Sequence, residues 1–386
     1  MPEAVIVAAA RSPIGRANKG SLADVRPEDL LASTMKEVVE RSGIDPSTIE
    51  DVICGSVGGA MINIGRSAAL LAGIPQEVPA TTVNRYCSSS LQATRMAFHA
   101  IKAGEGDTFL IGGSERSSRL DSEKGTTFGD GRPMGPNPEL QSKWELFIPM
   151  GMTAENVADA YDVSRERMDR FAQQSQERAV AAQSNGVFDR EIVPFTKGDG
   201  TVVSKDDGPR ASSTYEKLAE LKPVFRPEGG RVTAGNSCPL NDGGAALLVM
   251  SEERARSEGL KPLARIIATG VSGLDPRIMG VGPIEAVGKA LAQANMKIDD
   301  VDVVELNEAF AAQVLAVCDN IGVDPFSDKL NPHGGAIALG HPFGQTGARI
   351  MTTLLNDLHT LDRTIGVETM CVGGGQGLAM VVERLN

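Results

Sequence analysis

Cys87 is the side chain whose surroundings best suit covalent chemistry. It lies in the stretch NRYCSSSLQA (84–93), where a helix predicted over 88–102 begins. Free backbone N–H groups and the positive end of the helix dipole lower the pKa of a thiol from about 8.5 and favour the thiolate. The three serines after it are expected to cap the helix. A cysteine simply packed at a helix start is the alternative, and this stretch alone leaves it open.

His341 is the second candidate. It stands in NPHGGAIALGHPFGQTGAR (331–349), directly before a proline that restricts it to an extended conformation. The glycines at 344 and 347 permit a sharp entry into another helix. An imidazole is the natural group to take a proton from a cysteine near neutral pH, so we interpret His341 as the base. A structural histidine is the alternative.

Two further segments end apolar strands with reactive or polar groups. CVGGGQG (371–377) places Cys371 before a glycine turn, whose N–H groups can approach a ligand as an oxyanion hole requires. A dinucleotide-binding loop is the competing interpretation, but it fails because a strand follows instead of a helix. In ELNEAFAAQ (305–313), Asn307 can hold a water or a carbonyl oxygen, with a helix cap as the alternative.

The elements that must position these groups alternate between strand and helix at both ends of the chain. The predicted strands are 4–10, 51–56, 108–113, 301–306, 366–370 and 378–382, and the predicted helices are 28–41, 88–102, 284–294 and 346–358. This alternation predicts a largely parallel α/β sheet. Residues 36–57 resemble 288–309 locally, which we interpret as a duplication of half-chain size. Residues from about 118 to 232, with a helix over 164–183, are interpreted as an inserted lid.

Composition excludes several classes of function. The chain has 386 residues, is 41% hydrophobic and carries a net charge of −12, which argues against nucleic acid or anionic membranes as partners. Its apolar runs are far shorter than the ~20 residues that a membrane span needs. The five cysteines form no metal-binding spacing, so free thiols, a cytoplasmic location and no metal site are expected.

Taken together and in this order, the four segments resemble the thiolase family over essentially the whole chain. The resemblance extends to VIVAAARSPIGR (5–16), MGMTAENVA (150–158), LKPVF (221–225) and TAGNSCPLNDGGAA (233–246). It implies an α/β thiolase-like fold with two duplicated βαβαβαββ halves in five layers and an inserted loop domain. The implied units are 1–118 with 240–261, the insert 119–239, and 262–386.

The resemblance also implies a role for each candidate. Cys87 matches the cysteine that accepts the acyl group, His341 the base that activates it, and Cys371 the cysteine that moves the substrate α-proton. Asn307 would hold a water that forms a first oxyanion hole with His341. Backbone N–H groups of Cys87 and Gly373 would form the second.

Coenzyme A is the implied co-substrate, with no permanently bound cofactor. Arg210 matches an arginine near the CoA nucleotide. Cys238 stands where many members have a serine that touches the pantetheine. Met150, Ala309 and Phe310 match the pantetheine and acyl pocket.

The implied activity is cleavage of a 3-ketoacyl-CoA by CoA to acetyl-CoA and a shortened acyl-CoA, as in β-oxidation. Pro149 favours this degradative type, because many biosynthetic acetoacetyl-CoA thiolases have a histidine there. A biosynthetic acetoacetyl-CoA thiolase is the alternative, and a non-catalytic acyl-CoA-binding protein is a remote one. A ketoacyl synthase would carry histidine in place of Cys371. A homodimer or homotetramer is expected, with β-oxidation enzymes as further partners, and His333 is interpreted as structural.

Overall fold

The computed structural model describes residues 2–58, 62–118 and 137–386. The strands are β1 (Ala4–Arg11), β2 (Gly15–Arg16), β3 (Asp51–Gly55), β4 (Ala80–Val83), β5 (Thr108–Arg116), β6 (Phe195–Thr196), β7 (Val202–Val203), β8 (Asn241–Ser251), β9 (Ala264–Gly273), β10 (Val303–Leu306), β11 (Ile365–Val372) and β12 (Gln376–Arg384). The helices are α1 (Pro27–Ser42), α2 (Ile64–Leu71), α3 (Ser89–Ala103), α4 (Pro138–Trp144), α5 (Met150–Ala160), α6 (Arg165–Ser184), α7 (Tyr215–Ala219), α8 (Glu252–Ser257), α9 (Gly282–Ala294), α10 (Ala311–Ile321), α11 (Ala336–Leu339) and α12 (Thr346–Thr360).

The main sheet has the same strand order in its two halves. Reading outward from the middle, the first half runs β1-β8-β5-β3-β4 and the second runs β9-β12-β11-β10. The strand that would match β4 is reduced in the second half to a single bridge between Val304 and Leu330. β1 and β9 pair antiparallel at the centre and join the halves into one sheet. The predicted duplication is confirmed.

The sheet is mixed, so the prediction of a largely parallel sheet was wrong. β3 is parallel to β4 and β5, and β10 is parallel to β11. β8 and β12 instead run antiparallel to both of their neighbours. β12 follows β11 through a three-residue turn, which can join only antiparallel strands. β8 follows the long insert and runs back alongside β5 in the opposite direction.

The local repeat has the same structure in both halves. α1 ends at Gly43 with a φ of +72°, and α9 ends at Asn295 with a φ of +54°, the left-handed conformation that closes many helices. A 3₁₀ turn follows each helix, at Pro46–Thr48 and Ile298–Asp300. The strands β3 and β10 come next.

Two helices form a central layer between the sheet halves. Residues 346–358 of α12 are all buried, and α12 packs on α3 and on strands of both halves. Contact between the two helices is close, since a Cβ on Gly347 would lie 2.4 Å from the backbone nitrogen of Leu91. α1 and α2 cover the outer face of the first half, and α9 and α10 that of the second. This gives the five layers.

The described part of the insert joins the core of the second half. α5 and α6 share a hydrophobic cluster with α9 and α10. Ser164 caps α6 by accepting the N–H of Arg167 at 3.2 Å, as its position predicted. Among the residues that the structure describes, no helix is both long and apolar enough to cross a membrane.

Candidate active site

Cys87 lies in the turn that joins β4 to α3. Tyr86, just before it, has a φ of +44°, a costly conformation for a bulky residue. Asn84 Oδ1 supports the turn by accepting the Tyr86 N–H at 2.8 Å. Arg85 Nη1 donates to Gln376 Oε1 at 2.9 Å and so ties the turn to β12. The cysteine is therefore presented where the two halves meet.

The serines after Cys87 do not cap α3 in the predicted way. Ser88, at the N-cap position, makes no side-chain bond to the helix N–H groups. The hydroxyls of Ser88 and Ser89 instead donate to carbonyl oxygens of the preceding turn at 3.2 and 2.6 Å. Ser90 Oγ accepts the N–H of Ala348 at 2.9 Å, which holds α12. The prediction of capping hydroxyls was wrong, because these serines fix the turn and the central helix pair.

Burial raises the pKa of Cys87 to about 12. Hydrogen bonds from the backbone N–H groups of Gly373 and of Cys87 itself act in the opposite direction, and the charge of Glu115 adds to the rise. The predicted lowering of this pKa was therefore wrong for the free protein, because desolvation outweighs the N–H groups. Formation of the thiolate requires transfer of the proton to a base.

His341 is held in one tautomer by its neighbours. Its Nδ1 lies 2.7 Å from Thr346 Oγ1, and that hydroxyl donates to the carbonyl oxygen of Pro342 at 2.8 Å. Since a hydroxyl has a single proton, Thr346 accepts from Nδ1–H, and Nε2 keeps its lone pair. Nε2 lies 3.4 Å from Nδ2 of Asn307. This is the tautomer that a general base at Nε2 needs.

The imidazole of His341 is neutral in the free protein. Burial, followed by the charge of Arg349, lowers its pKa to about 3. The N–H of His341 donates to Asn241 Oδ1 at 3.0 Å, which fixes the backbone at this point. Both members of the predicted nucleophile–base pair are therefore uncharged before substrate binds.

Asn307 directly follows strand β10, and Cys371 lies near the end of β11, the parallel strand beside it. The N–H of Asn307 donates to the carbonyl oxygen of Thr369 at 3.0 Å, while its Oδ1 is buried and accepts no hydrogen bond from the described residues. Cys371 is buried two residues before Gly373, which lines the cavity at Cys87 and whose N–H reaches the Cys87 sulfur, so the two thiols belong to one site. Burial raises the pKa of Cys371 well above its ordinary value. A protonated thiol thus stands close to the candidate nucleophile.

The turn between β11 and β12 depends on its glycines. Gly374 and Gly375 have φ values of +76° and +80°. A Cβ on Gly375 would also lie 2.2 Å from the carbonyl oxygen of Leu274. In this conformation the N–H of Gly373 reaches the sulfur of Cys87.

A cavity of about 250 Å³ opens onto Cys87. Its apolar wall consists of Val57, Leu146, Phe147, Ile148, Met150 and Phe343. The predicted pocket residue Met150 lies in this wall, whereas Ala309 and Phe310 pack around Cys371 with Met279. Such a cavity suits an apolar chain beside the nucleophile.

Arg210 and Cys238, which were predicted to contact CoA, lie at the surface or at its edge. Arg210 is exposed, and partial burial and the nearby charge of Arg16 lower its pKa. Arg16 was not singled out from the sequence, although it ends the segment VIVAAARSPIGR. Cys238 is half-buried and donates its N–H to the carbonyl oxygen of Ala309 at 3.0 Å. Contact of these residues with CoA stays a prediction, and no group of side chains in the described ranges is arranged to hold a metal ion.

Glu115, which the sequence did not single out, stabilises two loops at the site by hydrogen bonding to their backbone. Its buried carboxylate accepts the N–H groups of Val57, Gly58 and Gly344 at 2.9–3.0 Å. The first two belong to the loop after β3 and the third to the turn before α12. One side chain therefore holds loops from both halves.

Comparisons with known proteins agree over the whole chain. The family model described as "Thiolase, N-terminal domain" matches residues 4–253, and that described as "Thiolase, C-terminal domain" matches residues 260–384. A β-ketoadipyl-CoA thiolase of Acinetobacter baylyi and a 3-ketoacyl-CoA thiolase of Aeromonas hydrophila are each 46% identical, with all of both chains covered. The crystal structure of a Bacillus anthracis acetyl-CoA acetyltransferase superposes with a TM-score of 0.91 at 41% identity, covering 100% of this chain and 99% of the other.

Proposed function

The chain belongs to the thiolase family and is an acyltransferase, and on that premise we propose that it cleaves 3-ketoacyl-CoA with CoA. The products are acetyl-CoA and an acyl-CoA shortened by two carbons. The observation that carries the proposal is the pair of neighbouring thiols, Cys87 at an apolar cavity and Cys371 behind it. Hydrolysis needs one nucleophile, whereas carbon–carbon cleavage also needs a donor for the departing carbanion.

In the first half-reaction, His341 Nε2 takes the proton of Cys87 as the sulfur attacks the ketone carbon. Backbone N–H groups of Cys87 and Gly373 stabilise the resulting oxyanion. The bond between the α-carbon and the former ketone carbon then breaks, and the acyl group stays on Cys87. The leaving acetyl-CoA enolate takes a proton from Cys371, while a water held by Asn307 and the side chain of His341 stabilise its oxygen.

In the second half-reaction, free CoA takes the acyl group from Cys87. The CoA thiol passes its proton to the Cys371 thiolate, attacks the thioester, and releases the sulfur of Cys87, which recovers its proton from His341. Arg210 is proposed to contact the CoA nucleotide and Cys238 the pantetheine, while Met150, Ala309 and Phe310 line the channel. The apolar wall around Met150 supports a carbon chain longer than acetyl.

The degradative direction is part of the proposal, and chain-length profiling tests it. Cleavage of 3-ketoacyl-CoA substrates of four to twelve carbons should extend beyond the shortest one. Activity confined to the four-carbon substrate would favour an acetoacetyl-CoA thiolase, the activity type of the structurally similar Bacillus anthracis enzyme. Because one relative is named for β-ketoadipyl-CoA, a dicarboxylic 3-ketoacyl-CoA should be included as a third type of substrate.

Mass spectrometry tests the covalent step. With a 3-ketoacyl-CoA and no free CoA, Cys87 should gain the mass of the shortened acyl group. Cys87→Ala should gain none, and Cys318→Ala, which removes a buried thiol of α10, is the matched control that should still be labelled. An unlabelled wild-type protein would contradict the proposed mechanism.

Three structural units are also proposed: 1–118 with 240–261, the insert 119–239, and 262–386. The position of β8 between β1 and β5 supports the return of 240–261 to the first half.

We also propose a homodimer or homotetramer whose interface includes the edge strand β4. Ile62, Leu70 and Leu71 are exposed near this strand. Light scattering after size exclusion tests the assembly, and a monomer would contradict it.

A reducing, cytoplasmic location is proposed as well, and the five unpaired cysteines support it.

A further inference from the structure

Four ionisable side chains that the reaction does not use lie buried between α12 and the strands β10 and β11. They are Glu305 on β10, Glu368 on β11, and Arg349 and Asp357 on α12, and none is more than 1% exposed. Glu305 and Glu368 stand opposite each other in the parallel register of the two strands. We name this group the acid cluster. It connects three elements of the second half.

Each of these elements also carries part of the catalytic site. Asn307 follows Glu305 by two residues, and Cys371 follows Glu368 by three. α12 begins at Thr346, whose hydroxyl holds the base. A shift within the acid cluster is therefore transmitted to the site through a few residues of strand or helix.

The acid cluster cannot be fully ionised. Three carboxyl groups share this buried space with one guanidinium, whose Nε and Nη1 have no hydrogen-bond partner among the described residues. Burial raises the pKa of Glu305, Glu368 and Asp357 well above the ordinary range. Asp357 accepts from the carboxyl of Glu305 and from Nδ1 of His333. An additional unpaired buried carboxylate would cost several kcal/mol. The cluster therefore holds at least one proton at neutral pH.

The surrounding charges do not supply the missing positive charge. The ionisable groups that face the acid cluster from other elements are Arg11, Arg178, Glu191, Asp206, Glu308 and His333. Arg11 pairs with Glu191 at 2.7 Å and with Asp206 at 2.8 Å, so this trio is itself negative when ionised. Both oxygens of Glu368 lack a hydrogen-bond partner among the described residues. His333 would add a positive charge only if protonated, and burial lowers its pKa. Arg178 is paired with Asp328 at 3.2 Å. Retention of a proton is the remaining way to limit the charge.

The acid cluster also acts on the base. The positive charge of Arg349 is the second cause, after burial, of the lowered pKa of His341. Arg349 thus helps keep the imidazole neutral and able to accept a proton. Its effect on catalysis does not require contact with substrate.

We propose that the acid cluster positions Asn307 and Cys371 relative to His341, and that loss of its shared proton at high pH disturbs this alignment and lowers turnover. The inference rests on the proposed cleavage reaction. Groups with raised pKa values stabilise the fold fully below the ordinary carboxyl range, and this stabilisation is lost as pH rises through their folded-state values. Melting temperature should therefore decline as pH rises from the ordinary carboxyl range toward the raised folded-state values, and turnover should decline once the cluster itself ionises.

Glu305→Gln tests the proposal, because a carboxamide still donates to Asp357 but cannot lose a proton. We expect its kcat to stay within about twofold of wild type at pH 7 and its ratio to wild type to rise at least about threefold on the alkaline limb of the pH profile, where the wild-type cluster ionises and the variant cannot. Its melting temperature should fall less with pH, and its KM should not change. Glu285→Gln, at an exposed position on α9, is the control and should follow wild type throughout. A Glu305→Gln profile parallel to wild type would overturn the proposal.

Arg349→Met supplies a second readout. We expect kcat to fall about tenfold or more with little change in KM for the acyl-CoA, because the variant loses alignment and not binding. An equal rise in KM with unchanged kcat would overturn the positioning role. Should this variant fail to fold, Glu305→Gln alone decides. Because melting temperature is measured without substrate, the stability prediction can be tested even if the enzyme is inactive. A wild-type enzyme inactive on every 3-ketoacyl-CoA would refute the proposed function separately.

Discussion

At the scale of single residues, Thr346 determines which nitrogen of His341 can accept a proton. Thr346→Val keeps the shape of the side chain but removes the acceptor for Nδ1–H, so the imidazole can adopt the wrong tautomer. We expect kcat to fall about tenfold or more, equivalent to about 1.4 kcal/mol, with a smaller effect on KM. Steady-state kinetics measures this. Thr346→Ser retains the hydroxyl and should keep most of the activity, and equal losses in both variants would contradict the assigned role.

The pKa of Cys87 leads to a prediction for the free protein. Because burial raises it to about 12, the thiolate fraction should increase about tenfold per pH unit between pH 7 and 10. The rate of Cys87 alkylation by iodoacetamide, followed by mass spectrometry of its peptide, should rise in parallel without a plateau. A plateau below pH 8 would mean that His341 ionises the thiol before substrate binds, contrary to this expectation.

The residues that sequence reasoning found and missed differ in one physical respect. Cys87 and His341 stand beside serines, glycines or a proline that reveal a turn locally. Glu115 has no such mark, because its contact with Gly344 spans 229 residues along the chain. The rise in the pKa of Cys87 was also missed, since desolvation depends on side chains brought together only by the fold.

At the scale of elements, the turn before His341 depends on Gly340. Its φ is +114°, and a Cβ there would lie 2.5 Å from the side-chain amide of Asn241. Gly340→Ala should lower stability by about 1–3 kcal/mol and reduce kcat, because Asn241 holds the backbone of His341. Chemical denaturation and kinetics check the two effects.

Gly288→Ala is the matched control for that substitution. Gly288 lies inside α9, and no atom stands within 4 Å of the Cβ position that alanine would fill. Alanine should stabilise this helix by about 0.5–1 kcal/mol without affecting kcat. A loss of activity in both variants would mean that the effect at Gly340 is not specific to the turn.

The helices that the sequence predicted were located closely, whereas α2, α5 and α10 and the strands β4, β8 and β9 were not predicted. α3 and α12 begin within one residue of the predicted starts, because their periodic apolar positions and local turn signals are contained in the sequence. The direction of β8 depends on a connection of more than a hundred residues, and no local pattern records it. Register and direction become fixed only when β8 pairs with both β1 and β5.

At the scale of the whole molecule, the halves share one interior. Without the first half, β9 would lose β1, and α12 would lose its contact with α3. We therefore expect the segment 262–386 alone to show no cooperative unfolding by circular dichroism. Co-expression with 1–261 should yield a folded complex. Cooperative unfolding of the isolated segment would contradict the shared interior.

The repeat could be predicted from the sequence, but its geometry could not. Residues 36–57 and 288–309 resemble each other because each contains a helix end, a turn and a buried strand. The sequence does not record that the strand matching β4 is reduced to a bridge at Leu330, since a single pairing leaves no periodic pattern. Nor does it record how the two copies meet at β1 and β9.

α3 and α12 occupy equivalent places in the repeated topology, and the turns before them carry Cys87 and His341. A symmetric pair of separate half-sized subunits would present the same side chain twice near their common axis. Two cysteines or two histidines there could not divide the work between an attacking group and a proton acceptor. Fusion of the copies into one polypeptide breaks that symmetry, so each equivalent position can be mutated alone. A continuous chain can therefore place the nucleophile in one half and the base in the other.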